Sequence, residues 1–251
     1  REDHADYPFY LRIPTTTETP VNIPPYRYPA DKLAALHAWA DAQLEKGHIE
    51  HATSAWNAPI VLARKKDGRW RFAIDLRGLN RIATFDPYPL PRIPDLMELT
   101  HGARWFSALD LTDGYWNCLV HEADRDKLSF TVPGKGRFRW RSVPFGYHGS
   151  GPHFQRAVEA CMAGLEWNEV AVYVDDLLMF TKNFDQHMRL VDTVFSKLAD
   201  GGFAVAPNKC SFFVKEIPYL GHLLSQRGVS VQPELVEKIV TAMGTLKSKT
   251  A

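Results

Sequence analysis

The stretch VAVYVDDLLMF (170–180) sets two adjacent acids, Asp175 and Asp176, in the middle of an apolar run. Short apolar runs of this kind are built to be buried in a sheet. Two neighbouring carboxylates carried into such a setting repel each other and lose hydration, so they need a compensating cation. Taken alone, YVDDLL is open to two readings. It is an ordinary turn whose acids face water, as Asp favours turns, or it is a hairpin embedded in a sheet whose acids hold a metal. Hard oxygen ligands suit Mg²⁺ or Mn²⁺, and a site with few carboxylates leaves room for substrate phosphates. A third acid, Asp110, ends a separate predicted strand in RWFSALDLT (104–112), so two strands can converge three carboxylates on one patch. Such a patch can hold two ions, one helping to deprotonate an attacking hydroxyl and the other stabilising the leaving oxygen. That is nucleotidyl-transfer chemistry.

The 251 residues, 45% of them hydrophobic, allow one large domain or two coupled lobes. No stretch approaches the roughly 18 to 20 apolar residues of a membrane span, and REDHADYPFY lacks the pattern of a signal peptide. A soluble, cytoplasmic protein without a membrane partner is expected, with virus-like particles as one setting for it. Cys118, Cys161 and Cys210 are far apart and form no CxxC pair, so buried free thiols are expected.

The proline- and threonine-rich residues 1–30 read as an extended arm over the surface. A helix is expected from Asp31, a capping acid, with Leu33, Leu36, Ala40 and Leu44 on one face and Gly47 as terminator. APIVLARKKDGRWRFAIDL reads as two strands joined across Asp67-Gly68, a hairpin with a basic tip. DPYPLPRIP marks a boundary between a first lobe, 31–90, and a second, 91–240. In the second lobe, a helix starts near Pro152, and another spans FDQHMRLVDTVFSKLADGG with Met188, Val191, Phe195 and Leu198 facing the core. Short strands follow at FAVA, CSFFV and IPYLGHLLS. Together these describe an α+β fold, an antiparallel sheet backed by helices.

The net charge of +1 hides an uneven distribution. In KGRFRWR, Lys135, Arg137, Arg139 and Arg141 recur at every second position, which lines one face of a strand with cations and turns Phe138 and Trp140 to the other. Two readings stand: a grip on template phosphates, or a solvated edge strand kept soluble by charge.

PVNIPPYRYP, HIEHATSAWNAPIVLARKKDGRWRFAIDLRGLN, DPYPLPRI, FSALDLTDGYW, VPFG, FQR, YVDDLLMF, KCSF and YLGHLLS follow one another in order. From about residue 18 to about residue 240 this order resembles the reverse transcriptase of gypsy-type LTR retrotransposons. The resemblance implies the fingers and palm of a right-hand polymerase, with a fingers segment returning near 120–150 and 241–251 as the start of a thumb. It implies an RNA-directed DNA polymerase that extends a primer with deoxynucleotides on an RNA or DNA template, using two Mg²⁺ ions for which Mn²⁺ substitutes.

The same resemblance makes Asp110, Asp175 and Asp176 the metal-binding triad, with Leu111 beside them as a further ligand. Lys65 and Arg71 match cations that hold the incoming triphosphate. The backbone from Leu111 through Thr112 and Asp113 to Gly114 would lie by the phosphates, and Tyr115 would stand against the sugar and exclude a 2′-hydroxyl. Phe145 and Gly146 resemble the floor of the nucleotide pocket. Lys209 resembles the lysine that protonates pyrophosphate, and YLGH (219–222) the primer grip. The triad reading requires Asp110 to lie within about a nanometre of the other two acids and free of ion pairs with Lys or Arg.

Departures are also present. After VPFG the chain reads YHGSGPHFQR where the family has LTNAPATFQR, and its His148 and His153 lack a partner at metal-ligand spacing. Asn117 replaces a common glutamine, and Ala55 stands where SPW is expected. The resemblance ends where a thumb begins, so poor grip on a duplex and low processivity are expected. Two alternatives accompany the polymerase reading: a domesticated, catalytically idle domain that binds nucleic acid or protein, and another two-metal phosphotransferase such as a nucleotide cyclase, which would leave the fingers blocks unexplained.

Overall fold

The computed structural model describes residues 9–64, 67–84, 86–112, 114–165 and 169–232. Its elements begin with helix α1 (Ala30–Glu45), strands β1 (Ile49–His51), β2 (Ile60–Arg64) and β3 (Trp70–Ile74), and helices α2 (Arg77–Asn80) and α3 (Ile93–Leu99). Next come β4 (Trp105–Thr112), α4 (Glu122–Arg125), β5 (Ser129–Val132), β6 (Gly136–Trp140), α5 (Ser150–Cys161), β7 (Val170–Tyr173), β8 (Asp176–Thr181) and α6 (Phe184–Asp200). Short strands β9 (Ala204–Val205), β10 (Ser211–Val214), β11 (Glu216–Tyr219), β12 (His222–Ser225) and β13 (Gly228–Val231) close the series. The chain forms two units, residues 1–88 with 113–157 and residues 89–112 with 158–251.

In the first unit, α1 begins behind Pro29, whose φ of −56° already suits a helix. Asp31 therefore lies in the first turn, where it complements the helix dipole, and does not cap with its side chain as expected. The helix buries Leu36 and Ala40 and stacks Trp39 on Phe72 with ring centroids 5.1 Å apart. Strands β2 and β3 form the expected hairpin, Arg64 pairing with Trp70. Of the arm expected over the surface at 1–30, residues 1–8 lie outside the described residues, and the part that follows does not all stay on the surface. Leu11 and Ile13 are buried, and Leu11 exchanges backbone hydrogen bonds with Leu119 and His121 at 2.8 and 3.0 Å.

A second sheet of this unit has the order β1-β6-β5, so the cation-bearing β6 is central and not an edge strand. Its alternation is as expected, Phe138 and Trp140 being buried. Its cations, however, are already engaged. Lys135 pairs with Asp41, and Arg137 donates to the Ser54 carbonyl. Arg139 bonds Glu50 at 2.7 Å and Asp126 at 2.9 Å, and Arg141 lies 3.6 Å from Glu50. The strand is thus not a solvated edge, and the cations that a template grip would use already have partners in the fold. β1 brings Glu50 opposite Arg139, so one carboxylate of the same sheet serves both Arg139 and Arg141.

The second unit is built on the antiparallel sheet β10-β4-β8-β7, with β9 also paired to β4. Phe106, Leu178, Phe180 and Ala171 project from it into a core shared with Met97 of α3 and with Ile217, Tyr219 and Leu224 of the sheet β11-β12-β13. Burying each of the larger apolar side chains stabilises the unit by about 1.5–3 kcal/mol. Helix α6 backs β4 and β8. It is capped by Asn183, whose side-chain oxygen accepts from the Asp185 and Gln186 N–H groups at 2.8 and 3.3 Å. Its buried face is His187, Leu190, Val191, Val194 and Leu198, so the expected stripe is rotated, and Met188 and Phe195 are exposed.

His187 explains the rotation. It is fully buried, its Nε2 lying 2.8 Å from Ser107 Oγ on β4 and its Nδ1 3.1 Å from Thr181 Oγ1 on β8. A histidine so placed takes the core position that a reading by apolarity gives to Met188. Among the described residues no helix is long and apolar enough to cross a membrane. Cys118 is buried and Cys161 and Cys210 are half-buried, all as free thiols.

Candidate active site

Strand β4 does not end at Asp110 but runs on to Thr112. Asp110 is the register partner of Asp176 in the antiparallel β4–β8 pair, which sets their Cα atoms about 4.5–5.5 Å apart. The Leu111 N–H donates to the Asp175 carbonyl at 3.1 Å, so the turn that carries Asp175 is tied to the residue that follows Asp110. The nanometre requirement is met by pairing alone.

Tyr173 pairs with Asp176, leaving Val174 and Asp175 as a two-residue hairpin turn. Turns of this length want positive φ and hence glycine or asparagine. Val174 adopts φ +52° instead, at a cost of about 1–2 kcal/mol for a β-branched residue. Such strain persists only where the surroundings over-determine it. Among the described residues, the non-glycine residues with positive φ are Val174, Phe213 and Leu220; Val174 and Leu220 fall within the blocks YVDD and YLGH, and Phe213 directly follows KCSF.

The carboxylates bear the electrostatic cost expected of them. Asp175 is held above the usual carboxylate range by loss of hydration first, then by Asp176 and Asp110, and Lys209 opposes the rise. Asp176 is raised by desolvation and by Asp110, again against Lys209. Lys209 Nζ lies 3.1 and 3.2 Å from the two oxygens of Asp110. The expectation that Asp110 stands free of ion pairs is therefore corrected. The cause is the crowding of like charge, which draws in the nearest ammonium. Both partners are partly open to solvent, with 62% of the Lys209 side chain and 29% of the Asp110 side chain exposed. Pairs of that kind are weak and exchangeable.

Among the described residues no three His, Cys, Asp or Glu side chains form a ready-made metal cluster. The donor set still suits a hard divalent cation: oxygens only, crowded enough to raise two carboxyls, and open enough to admit phosphate oxygens. Leu111 offers its backbone beside them and pairs with Val205, and Thr112 pairs with Ala204.

Other expected site residues group in the first unit. Tyr115, in the 3₁₀ turn Gly114–Asn117, packs against Phe145 at 5.2 Å and edge-on to Phe154 at 5.4 Å. Phe145 is exposed. Gly146 takes φ +103°, and a Cβ there would stand 2.9 Å from the Ile74 carbonyl, so no larger residue fits. The Gly146 carbonyl accepts from Asn80 Nδ2 at 2.9 Å, and the His148 N–H donates to Asn80 Oδ1 at 3.2 Å. Asn80, in LRGLN, thus holds the pocket-floor loop, a role that no spacing in the sequence signals. Arg71 is exposed on β3 opposite Ala63. Lys65 and Asp113 lie outside the described residues. His153 is satisfied by the Phe9 carbonyl at 3.0 Å.

YLGH forms the turn between β11 and β12, where Tyr219 pairs with His222 and Leu220 and Gly221 take φ +46° and +81°. The Tyr219 hydroxyl donates to the Asp176 carbonyl at 3.4 Å, joining this hairpin to the acidic corner.

Over residues 63–224 the sequence matches the family of reverse transcriptases (RNA-dependent DNA polymerases). It is 32% identical over 242 residues to the retrovirus-related Pol polyprotein from transposon gypsy of Drosophila melanogaster, an alignment covering 92% of this chain and 23% of that protein. The chain spans about a fifth of the length of the curated relatives it matches. Among solved structures, the foamy viral protease-reverse transcriptase dRH in complex with double-stranded DNA superposes with a TM-score of 0.78 at 24% identity, over 89% of this chain and 39% of that one. The foamy viral protease-reverse transcriptase in complex with an RNA/DNA hybrid gives 0.77 at 25% identity, over 90% and 30%. The fold is that of right-hand polymerase fingers and palm, α+β, with an antiparallel palm sheet backed by helices.

Proposed function

The chain belongs to the reverse transcriptase (RNA-dependent DNA polymerase) family, and from that premise we propose that it extends a primer 3′ end with deoxynucleotides on an RNA template. The observation that carries this reading is the convergence of Asp110, Asp175 and Asp176 at one corner of the β4–β8 sheet, at an electrostatic cost that a folded protein does not retain idly.

These three acids, with Leu111, are the residues that would hold Mg²⁺ or Mn²⁺. Such ions, when bound, supply the charge that activates the primer hydroxyl and stabilises the leaving pyrophosphate. Every other role falls to the chain itself. Lys209 delivers a proton to pyrophosphate. Lys65 and Arg71 bind the triphosphate of the incoming deoxynucleotide, and Thr112, Asp113 and Gly114 serve its phosphates through their backbone. Tyr115, held in place by Phe145 and Phe154, presents a ring edge that rejects a 2′-hydroxyl, and Gly146 keeps the floor of that pocket flat. The hairpin turn 219–222 orients the primer end.

The test is primer extension on an RNA template with Mg²⁺ or Mn²⁺, beside Asp175→Asn. Incorporation that vanishes in the variant is the expected result, and equal signals from both would trace the activity to a contaminant. A second reading, a domain that binds nucleic acid without turnover, draws on the Lys209–Asp110 ion pair. It predicts template binding with no incorporation by either protein.

A further inference from the structure

The corner that carries three carboxylates also carries a cation of its own. Lys209 Nζ is nearly equidistant from both oxygens of Asp110, at 3.1 and 3.2 Å, and so occupies an acceptor site on each oxygen, including the chelating edge that a bidentate cation would use. The contact is not a chance meeting of two surface chains. Lys209 ends the 3₁₀ turn Pro207–Lys209, its N–H donates to the Ala206 carbonyl at 2.9 Å, and the Ala206 N–H donates to the Asp110 carbonyl at 2.9 Å. The backbone that bears the lysine is anchored to the residue whose side chain it covers. Its side chain is nevertheless 62% exposed, so the head can swing away while the stem stays fixed.

We propose that Lys209 is a built-in counter-ion that competes with divalent metal for Asp110: the ammonium caps the carboxylate until a metal ion displaces it. The proposal rests on the polymerase reading and adds a linkage to it. One charge on a flexible stem, in an exposed pair, is a weak competitor for a dication that can also draw on Asp175 and Asp176. Exchange therefore goes forward when metal arrives with its phosphate ligands, and between those events the corner is spared the full repulsion of three bare acids. The exchange breaks the two Nζ–H···O contacts and moves no proton, so the displaced lysine remains charged, as the proton-donor role requires.

The test measures Mn²⁺ binding by depletion of the free-ion electron paramagnetic resonance signal, without nucleotide or primer, for the full chain, Lys209→Met and Lys209→Arg. Lys209→Met removes the charge and keeps the stem, and it should bind Mn²⁺ roughly three- to tenfold more tightly than the unaltered chain. Lys209→Arg should return the affinity to near the unaltered value. Equal affinities in all three would overturn the proposal and leave the two-ion reading standing. Weaker binding by Lys209→Met would also overturn it, because the lysine would then be supporting the site. Absence of Mn²⁺ binding in every protein at millimolar ion would remove both the proposal and the two-ion reading.

Discussion

The cations of β6 and the acids of β4 and β8 look alike in sequence, each a dense cluster of one sign. They differ in what surrounds them. Arg139 meets Glu50 and Asp126, Arg141, Arg125 and Lys135 each have a carboxylate within ion-pair distance, and Arg137 donates to the Ser54 carbonyl, so every cation of the basic stripe has a partner within its own unit. The acidic corner sets three carboxylates against the single ammonium of Lys209, and two of the three stay raised despite it. A cluster that the fold neutralises serves packing. One that the fold leaves charged is held for something that arrives from outside.

The largest effect expected from this contrast is at the unbalanced cluster. Asp110→Asn removes one charge from the corner and releases Lys209. It should lower primer extension on the order of a thousandfold, several kcal/mol of lost charge stabilisation, with little change in the denaturation midpoint. A variant that extends primers like the unaltered chain would show the excess charge to be idle, and the contrast with β6 would lose its meaning.

The next effect tests a polar cluster that is buried and fully satisfied, three residues before Asp110 on the same strand. The Phe213 N–H donates to Ser107 Oγ at 3.0 Å, which leaves the serine proton to be donated to an unprotonated His187 Nε2. Thr181 donates to the Asn183 carbonyl at 2.9 Å and so accepts from His187 Nδ1–H. The network is complete with the imidazole neutral, and burial pushes its pKa down to about 4. A group whose folded pKa lies below its unfolded value of about 6.5 contributes stability that is present above pH 6.5 and is lost as pH falls through 4. That loss should be about 2–3 kcal/mol between pH 7 and pH 4 by urea denaturation, and His187→Asn, less stable at pH 7, should lack it. An equal loss in the variant would assign the acid sensitivity to other groups.

What could be read from the sequence follows the same division. The hairpin across Asp67-Gly68, the two long helices and the separate strands that carry Asp110 and Asp176 are local or period-driven, and apolar patterning reveals them. The identity of the acidic corner was legible because carboxylates inside an apolar run contradict the pattern around them. Partners were not legible. Glu50 is 89 residues from Arg139, and Ser107 is 80 from His187, so no spacing announces either bond. The assignment of Met188 and Phe195 to the core failed for that reason, since a histidine with two distant hydroxyl partners could take the buried face. The Val174 turn was hidden too, because a valine is the last residue that turn chemistry suggests there.

A smaller effect is expected from removing the anion that the basic cluster shares. Glu50 serves Arg139 at 2.7 Å, Arg141 at 3.6 Å and the buried Arg125 at 3.7 Å. Glu50→Gln leaves three guanidiniums crowded without their shared anion, one of them with no access to water. With Glu50 itself partly exposed, a loss of about 2 kcal/mol is expected in chemical denaturation, and more at low salt. A loss below about 0.5 kcal/mol would mean that hydration does what is here attributed to Glu50.

The smallest effect belongs to the stripe as a nucleic-acid contact. Each phosphate neutralised by a protein cation adds about 0.9 to the slope of log affinity against log salt on duplex DNA, and somewhat less on single strands. Arg137 and Arg139 are spent on Ser54, Glu50 and Asp126, and withdrawing them to meet phosphate would strand those partners. Arg137→Ala with Arg139→Ala should therefore leave the salt slope of template binding within about half a phosphate contact of the original, while lowering the denaturation midpoint. A slope that falls by nearly two contacts would return the stripe to the template and make internal pairing a poor guide to which charges are available. The distinction matters most here, because β6 presents the densest run of alternating cations in the chain, and a run of that kind binds phosphate only where its own fold has not already supplied the anions.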